Sequence, residues 1–368
     1  MRTVLAGLAL LTTLSTSAQA QRSWQTEFGI QGGFTRLVEA GSGASPFDAI
    51  SIPGFNLGNA LPSTAGLYLI IPASNKIAME TDFAFSQFSV GSTLTFLSAG
   101  LRGDYALTKK LYAAAGASLV YNNGAANETQ LGVQGALGFR FGLTRGLGAR
   151  FESRVAFFGK ADNASPAYVY SVLFGLSKVT SRGRTTTRTA AAPASRRWTT
   201  QVGIAGGYAD VDLIGAGSLT ALSLPGYGGA LGNALGSLGL QSVTLPPTVF
   251  AIFPIGNKVA IEPALDIHRF QNSGQTDFSG NLSVRLDYAV HGGWYGALGG
   301  NLHYIKSTGI DAATRTGVNL GWGYRFPLTH EVSGRMEANY TMFADNTTYS
   351  LPAVNILGLM FGVTLPVK

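Results

Sequence analysis

Residues 24–37 (WQTEFGIQGGFTRL) return at 198–211 as WTTQVGIAGGYADV, and the rest of the first half follows in the same order. LGNAL at 57–61 recurs at 231–235, SNKIAME at 74–80 answers GNKVAIE at 256–262, and RGDY at 102–105 answers RLDY at 285–288. GFRFGLT at 138–144 answers GYRFPLT at 323–329, and RFE at 150–152 answers RME at 335–337. The offset climbs from 174 at Trp24 to 185 at Arg150, so length differences gather in a few connections and the units stay intact. A unit of about 165 residues is far longer than the roughly 20–50 of solenoid repeats. The chain is a duplicated domain, expected to run from 21 to 178 and from 198 to 368 around a linker at 179–197.

Within each copy the apolar residues alternate. Ile77, Met79, Phe83 and Phe85 face one way and Ala78, Glu80, Asp82, Ala84 and Ser86 the other; Leu147, Ala149, Phe151, Val155 and Phe157 oppose Gly148, Arg150, Glu152, Arg154 and Ala156. Period two is the mark of a strand. In a water-soluble sheet the charged face would carry long polar side chains outward. Here it mixes charges with small residues, while the other face is long and aromatic, which is the lipid-out, polar-in pattern of a transmembrane barrel. Eight such segments fall in each copy: near 24–37, 64–72, 76–88, 92–107, 111–121, 129–143, 147–160 and 166–178, then 198–211, 247–254, 258–270, 276–290, 294–305, 314–328, 331–344 and 352–366. Tight connections (PASN at 72–75, TKK at 108–110, TRG at 144–146) interleave with looser ones at 122–128 and 161–165, as in barrels with short turns at one end and loops at the other. Pro263 falls inside an expected strand, where its missing N–H conflicts with a paired position and points to a bulge.

Arg2, the apolar run Val4 to Leu11 and Ser17-Ala18-Gln19-Ala20 read as a signal peptide cleaved after Ala20. No later apolar run reaches the 18 or so residues of a spanning helix, so any membrane crossing must be made by strands. The chain has no cysteine, which excludes disulfides and thiolate metal sites. Its net charge of +7 suggests an acidic partner, but Lys178, Arg182, Arg184, Arg188, Arg196 and Arg197 lie in one acid-free stretch. Without these six and Arg2, the 26 bases fall to 19, equal to the 19 acids. The repeats are neutral, the basicity belongs to the linker, and nucleic acid is not expected as a partner. Only 12% of residues are charged, against about 25% in soluble domains.

Segments such as GFRFGLTRGLGARFESRVAFF (138–158) and GYRFPLTHEVSGRMEANYTMF (323–343) resemble the small eight-stranded outer-membrane barrels, the class of the OmpA transmembrane domain and OmpX. The resemblance implies an all-β, up-and-down antiparallel transmembrane barrel in the bacterial outer membrane, here two in tandem, with outer-membrane lipid as its surroundings. The alternative is one sixteen-stranded barrel. Alternation sends Glu80, Asp82, Arg102, Asp104, Arg140, Arg150, Glu152 and Arg154 into the first lumen. It sends Glu262, Asp266, Arg285, Asp287, Arg325, Arg335 and Glu337 into the second, with His268 beside them. Buried charges are costly unless paired, and an eight-stranded lumen is just wide enough for side chains to fill it. These near-balanced sets fit two filled interiors.

The longest connection in both copies is apolar: PFDAISIPGFNLGNAL at 46–61 and SLTALSLPGYGGALGNALGSLGL at 218–240. As an outer loop it offers Ile52, Pro53, Phe55, Leu57, Leu61, Leu224, Pro225, Tyr227, Leu231 and Leu235 as contacts for lipid, a cell-surface ligand or a protein partner, or else packs on its own barrel and extends the first two strands. Trp24, Trp198, Tyr112, Tyr168, Tyr170, Trp294 and Tyr295 lie near strand ends and suit an interfacial aromatic girdle. His268, His291, His303 and His330 have no ligand-like spacing, and no nucleophile–base pair, phosphate loop or metal motif stands out. No cofactor and no enzymatic activity are expected. The function expected is structural or surface-interactive, with a passive pore as the alternative.

Overall fold

A computed structural model of the chain describes residues 24–40, 46–52, 66–90, 92–123, 127–144, 146–161, 165–180, 198–214, 217–224, 249–272, 275–328, 332–346 and 353–367. The expected signal peptide and all but the first two residues of the expected linker lie outside them. The first copy contributes β1 (Thr26–Glu39), β2 (Phe47–Ile52), β3 (Leu67–Pro72), β4 (Ile77–Val90), β5 (Ser92–Ala106), β6 (Leu111–Asn123), β7 (Asn127–Thr144), β8 (Leu147–Phe158) and β9 (Ala167–Thr180). The second contributes β10 (Gln201–Leu213), β11 (Gly217–Leu224), β12 (Val249–Pro254), β13 (Val259–Asn272), β14 (Gln275–Ala289), β15 (Trp294–Ser307), β16 (Ile310–Pro327), β17 (Ser333–Phe343) and β18 (Val354–Pro366). The protein is an all-β, antiparallel closed barrel.

We call the end where β1 and β10 begin the lower end. Its turns are tight: Ser74 Oγ accepts from the backbone N–H groups of Lys76 and Ile77 at 3.2 and 3.0 Å, and Thr108 Oγ1 does the same for Lys110 and Leu111. Near this end the strands close twice. The lower part of β1 pairs with β3 (Glu27↔Ile70 to Ile30↔Leu67), and β3 to β9 pair in sequence back to β1, making a ring of eight. Likewise β10 pairs with β12 (Gln201↔Ile252 to Ile204↔Val249), and β12 to β18 return to β10.

The upper half is wired differently. There β1 pairs with β2 (Gly33↔Ser51 to Leu37↔Phe47), and the other edge of β2 pairs with β13 of the second copy (Ile267↔Ile52 to Gln271↔Asp48). Reciprocally, β11 pairs with β10 (Gly207↔Ser223 to Leu213↔Gly217) and with β4 of the first copy (Thr220↔Ser89 to Leu224↔Phe85). Following these ladders around the upper half, the circuit β1-β2-β13-β14-β15-β16-β17-β18-β10-β11-β4-β5-β6-β7-β8-β9 closes as one ring of sixteen. Two eight-stranded barrels below therefore merge into a single wide ring above, and the two expected architectures coexist at different heights.

The split occurs at the same level all around: between residues 30 and 33 on β1, 83 and 85 on β4, 204 and 207 on β10, and 265 and 267 on β13. On β1 and β10 it falls at Gly33 and Gly207, both at φ 153°, where a Cβ would stand 2.2 Å from the carbonyl oxygen of Val172 or Leu359. The GG pairs of GIQGG and GIAGG thus let the wall change partners where only glycine fits. Pro263 is accommodated in another way than a bulge. It pairs with Val284 on one side, while the β12–β13 ladder lapses between Phe250↔Ala264 and Phe253↔Ile261 with unchanged register, so its missing donor faces a gap.

The expected outer loops need correction. Phe47–Ile52 and Gly217–Leu224 are wall strands, because their free edges find partners in the opposite copy. Ile52 and Leu224 end these strands at the split level, not at the outer rim. Pro53, Phe55, Leu57, Leu61, Pro225, Tyr227, Leu231 and Leu235 lie outside the described residues.

Candidate functional site: two charged layers that close the lower barrels

Inward positions along β4, β5 and β8 converge because eight strands leave a lumen only one or two side chains across. Arg102 on β5 grips Glu152 on β8 with both terminal nitrogens (2.8 and 2.5 Å), stands 2.9 Å from Glu80 on β4, and turns Nε toward Asp104 at 3.1 Å. Arg150 holds Glu80 from the other side, Nη2 donating to Oε1 at 3.0 Å, and also donates to Gln31 on β1. Arg154 donates to Glu152 at 2.9 Å and to Asp82 at 2.8 Å, and Tyr112 O–H donates to Glu152 at 2.6 Å. Glu80 and Glu152 are wholly buried. Each of these two glutamates bridges at least two cationic or hydroxyl donors, the condition under which a buried charge is tolerated.

The second copy rebuilds the same centre. Arg285 grips Glu337 with two bonds of 2.6 Å, approaches Glu262 at 2.8 Å and faces Asp287 at 3.2 Å. Arg335 holds Glu262, with Nη2 donating at 3.1 Å, and Tyr295 O–H donates to Glu337 at 2.6 Å. The guanidinium of Arg150 lies over the Tyr68 ring at 3.6 Å and that of Arg335 over Phe250 at 3.9 Å. Among the ion pairs of the layer the copies differ at one, where Asp82 and Arg154 become Ala264 and Asn339; beside it Tyr68 becomes Phe250 and Gln31 becomes Ala205.

An aromatic floor lies beneath each layer. Trp24 meets Tyr112 edge-on with centroids 5.6 Å apart and donates Nε1–H to Lys76 O at 3.1 Å. Trp198 meets Tyr295 at 5.6 Å and donates to Lys258 O at 3.0 Å. Arg140 stacks on Trp24 at 4.0 Å and pairs with Glu27, which also accepts from Ser177 Oγ at 2.8 Å; Arg325 stacks on Trp198 at 3.6 Å.

Of the sequence-predicted lumen residues, Glu80, Asp82, Arg102, Asp104, Arg150, Glu152 and Arg154 meet in one layer, and Glu262, Arg285, Asp287, Arg335 and Glu337 in the other. Arg140 and Arg325 sit lower, on the aromatic floors, and Asp266 is buried on β13 outside the second cluster. Glu27, Gln31 and Tyr68 were missed, although their parity along β1 and β3 marks them as inward. The girdle assignment is corrected in part. Trp24, Trp198, Tyr112 and Tyr295 are all at most 5% exposed and line the lumen, whereas Tyr168, Tyr170 and Trp294 are 40–46% exposed on the outside. Adjacent residues on a strand must point opposite ways, so Trp294 and Tyr295 never belonged to one face. Among the described residues, no cluster of three or more His, Asp or Glu side chains has a metal-binding arrangement.

No protein-family model and no curated protein matches the chain. Solved structures do. A bacterial polysaccharide outer membrane secretin is similar at 10% identity and a TM-score of 0.35, over 95% of this chain and 100% of that one. The CymD monoaromatic hydrocarbon channel is similar at 10% identity and a TM-score of 0.31, over 95% and 90%. Pseudomonas aeruginosa OccK5 (OpdH) is similar at 10% identity and a TM-score of 0.30, over 95% and 100%.

Proposed function

We propose that this protein is an outer-membrane double barrel whose two lower barrels are closed to solute and whose role is structural or surface-interactive, exercised through its wide upper end. The observation that carries the reading is the pair of buried Arg–Glu layers on aromatic floors, with Asp104 and Asp287 each facing an arginine at 3.1 and 3.2 Å. A passage at either level would require those side chains to leave their partners. The membrane setting is supported by the exterior, where Leu131 and Val133 are 67% and 64% exposed and Leu101, Leu137, Leu286, Leu298, Leu320 and Leu357 all face outward. A lower outer ring of Trp294, Trp322 and Tyr324 is matched above by Arg269, Phe278 and Lys306, directly opposite one another on β13, β14 and β15. Lys306 lies twelve residues beyond Trp294, which at about 3.3 Å per residue and a tilt near 40° puts it about 30 Å higher. That spacing fits amphipathic rings at one headgroup level and cations among the anionic headgroups of the other. Outer-membrane lipid is then the immediate partner, a cell-surface ligand or protein engages the upper end, and no catalysis is assigned.

The sixteen-stranded upper ring favours a second reading, a passive pore for small solutes. Conductance separates the two. The folded protein in planar bilayers is expected to give no stable openings, and reproducible nanosiemens-scale steps would overturn the closed-barrel reading in favour of the pore.

A further inference from the structure

Directly above the ion layer of the second barrel, the inner wall is polar in a way that the first barrel does not match. Asp266, Asn281, His303 and Arg315 stand opposite one another in a row across β13, β14, β15 and β16, the carboxylate and the guanidinium three strands apart, with Asn301 one inward position below His303 and Asn319 two below Arg315. Arg315 is 2% exposed, and its Nε, Nη1 and Nη2 have no hydrogen-bond partner among the described residues; neither has the Asn301 side chain. A guanidinium presents five donors and stays charged. Arg315 makes no ion pair among the described residues, and the Asp266 carboxylate of the same row stands three strands away; a guanidinium buried without a close counter-charge is destabilising. Nor does the sequence hold a hidden carboxylate in the long apolar insertion, since residues 225–248 contain neither Asp nor Glu. By the repeat offset of 185 in this region, the first copy has Gln130 where Arg315 stands and spends its extra charges on the Asp82–Arg154 pair instead.

We propose that Arg315, with Asn301 as a second donor, is a binding site for a small oxyanion, a phosphate- or carboxylate-bearing solute that enters from the sixteen-stranded upper compartment. The two sides of the requirement fit. The anion supplies the charge that the fold withholds, and the planar fork of Arg315 matches two oxygens of a phosphate or carboxylate. Below, the Arg285–Glu337–Glu262 layer closes the barrel, so the site is approached from above and leads nowhere further.

The test is thermal unfolding of the full mature chain in detergent micelles, titrated with inorganic phosphate or with acetate at constant ionic strength made up with chloride. The wild type is expected to gain melting temperature with one or both oxyanions, and which of them acts identifies the class. Arg315→Gln, the residue of the first copy, is expected to abolish that gain and to melt above the wild type in oxyanion-free buffer, because an uncompensated buried charge has been removed. A wild type insensitive to both anions, a variant that keeps the full gain, or a variant that melts below the wild type without oxyanion would overturn the site. Should Arg315→Gln fail to fold, Asn301→Ser decides: a reduced oxyanion gain upholds the site and an unchanged one refutes it.

Discussion

At the scale of single residues, the two copies run a natural substitution experiment. Both keep an Arg–Glu–Arg–Glu centre with a tyrosine donor, but Asp82 and Arg154 of the first correspond to Ala264 and Asn339 of the second. The pair is therefore dispensable to the architecture when both members are replaced together. Removing Arg154 leaves Asp82 buried without its cation, at a cost of about 3–5 kcal/mol, whereas removing Asp82 leaves Arg154 still bonded to Glu152. Arg154→Asn is expected to destabilise the protein by that order in urea unfolding in micelles, and Asp82→Ala by less. The double variant, which reproduces the second copy, is expected to lose less than the two costs combined by at least about 1 kcal/mol. Strict additivity would mean that Arg154 draws its stability from Glu152 alone and that Asp82 is incidental.

At the scale of strands, sixteen of the elements were legible because each carries its own period-two pattern and its own turn. Leu111–Asn123 and Trp294–Ser307 can be drawn from the sequence within a few residues. β2 and β11 were not legible. FDAISI and GSLTALSL are short, sit beside glycine- and proline-rich sequence, and pair on one edge with the neighbouring β1 or β10 and on the other with a strand more than a hundred residues away: β2 with β13, and β11 with β4. Their non-locality also hid the merged upper ring, since the repeat argues for two self-contained units and says nothing about the edges they share. The lumen charges were readable from parity, but their partners were not, because parity gives a direction and not a distance. Each crossing ladder holds five residue pairs, so the halves are expected to stay together after the linker is cut. A protease site inserted after Thr187 should yield two fragments that co-elute in mild detergent and separate only on unfolding. In a variant carrying Asp48→Cys and Gln271→Cys, opposite one another on β2 and β13 in a chain without other cysteines, oxidation should keep the fragments joined even when unfolded. Fragments that part in mild detergent and resist cross-linking would return the protein to two independent barrels.

At the scale of the whole molecule, the polarity of inside and outside is reversed from that of a protein in water, and the four tryptophans report on it from both sides. Trp24 and Trp198 face the lumen, 5% and 4% exposed, with their indole N–H groups bound to the lower turns. Trp294 and Trp322 face outward, 46% and 51% exposed, stacked with centroids 6.1 Å apart. If the outer surface meets acyl chains, lipids brominated near the headgroup will quench only the second pair. The protein reconstituted in such vesicles should lose part of its tryptophan emission relative to ordinary lipid. Trp294→Phe combined with Trp322→Phe should remove that lipid-dependent loss, and Trp24→Phe should leave it in place. Since Trp24 and Trp198 occupy equivalent floors in the two barrels, emission from the double variant also tests whether both lumens exclude lipid equally. Quenching that persists in the double variant would mean that acyl chains reach an interior face, which neither a closed lower barrel nor a continuous sixteen-stranded wall permits.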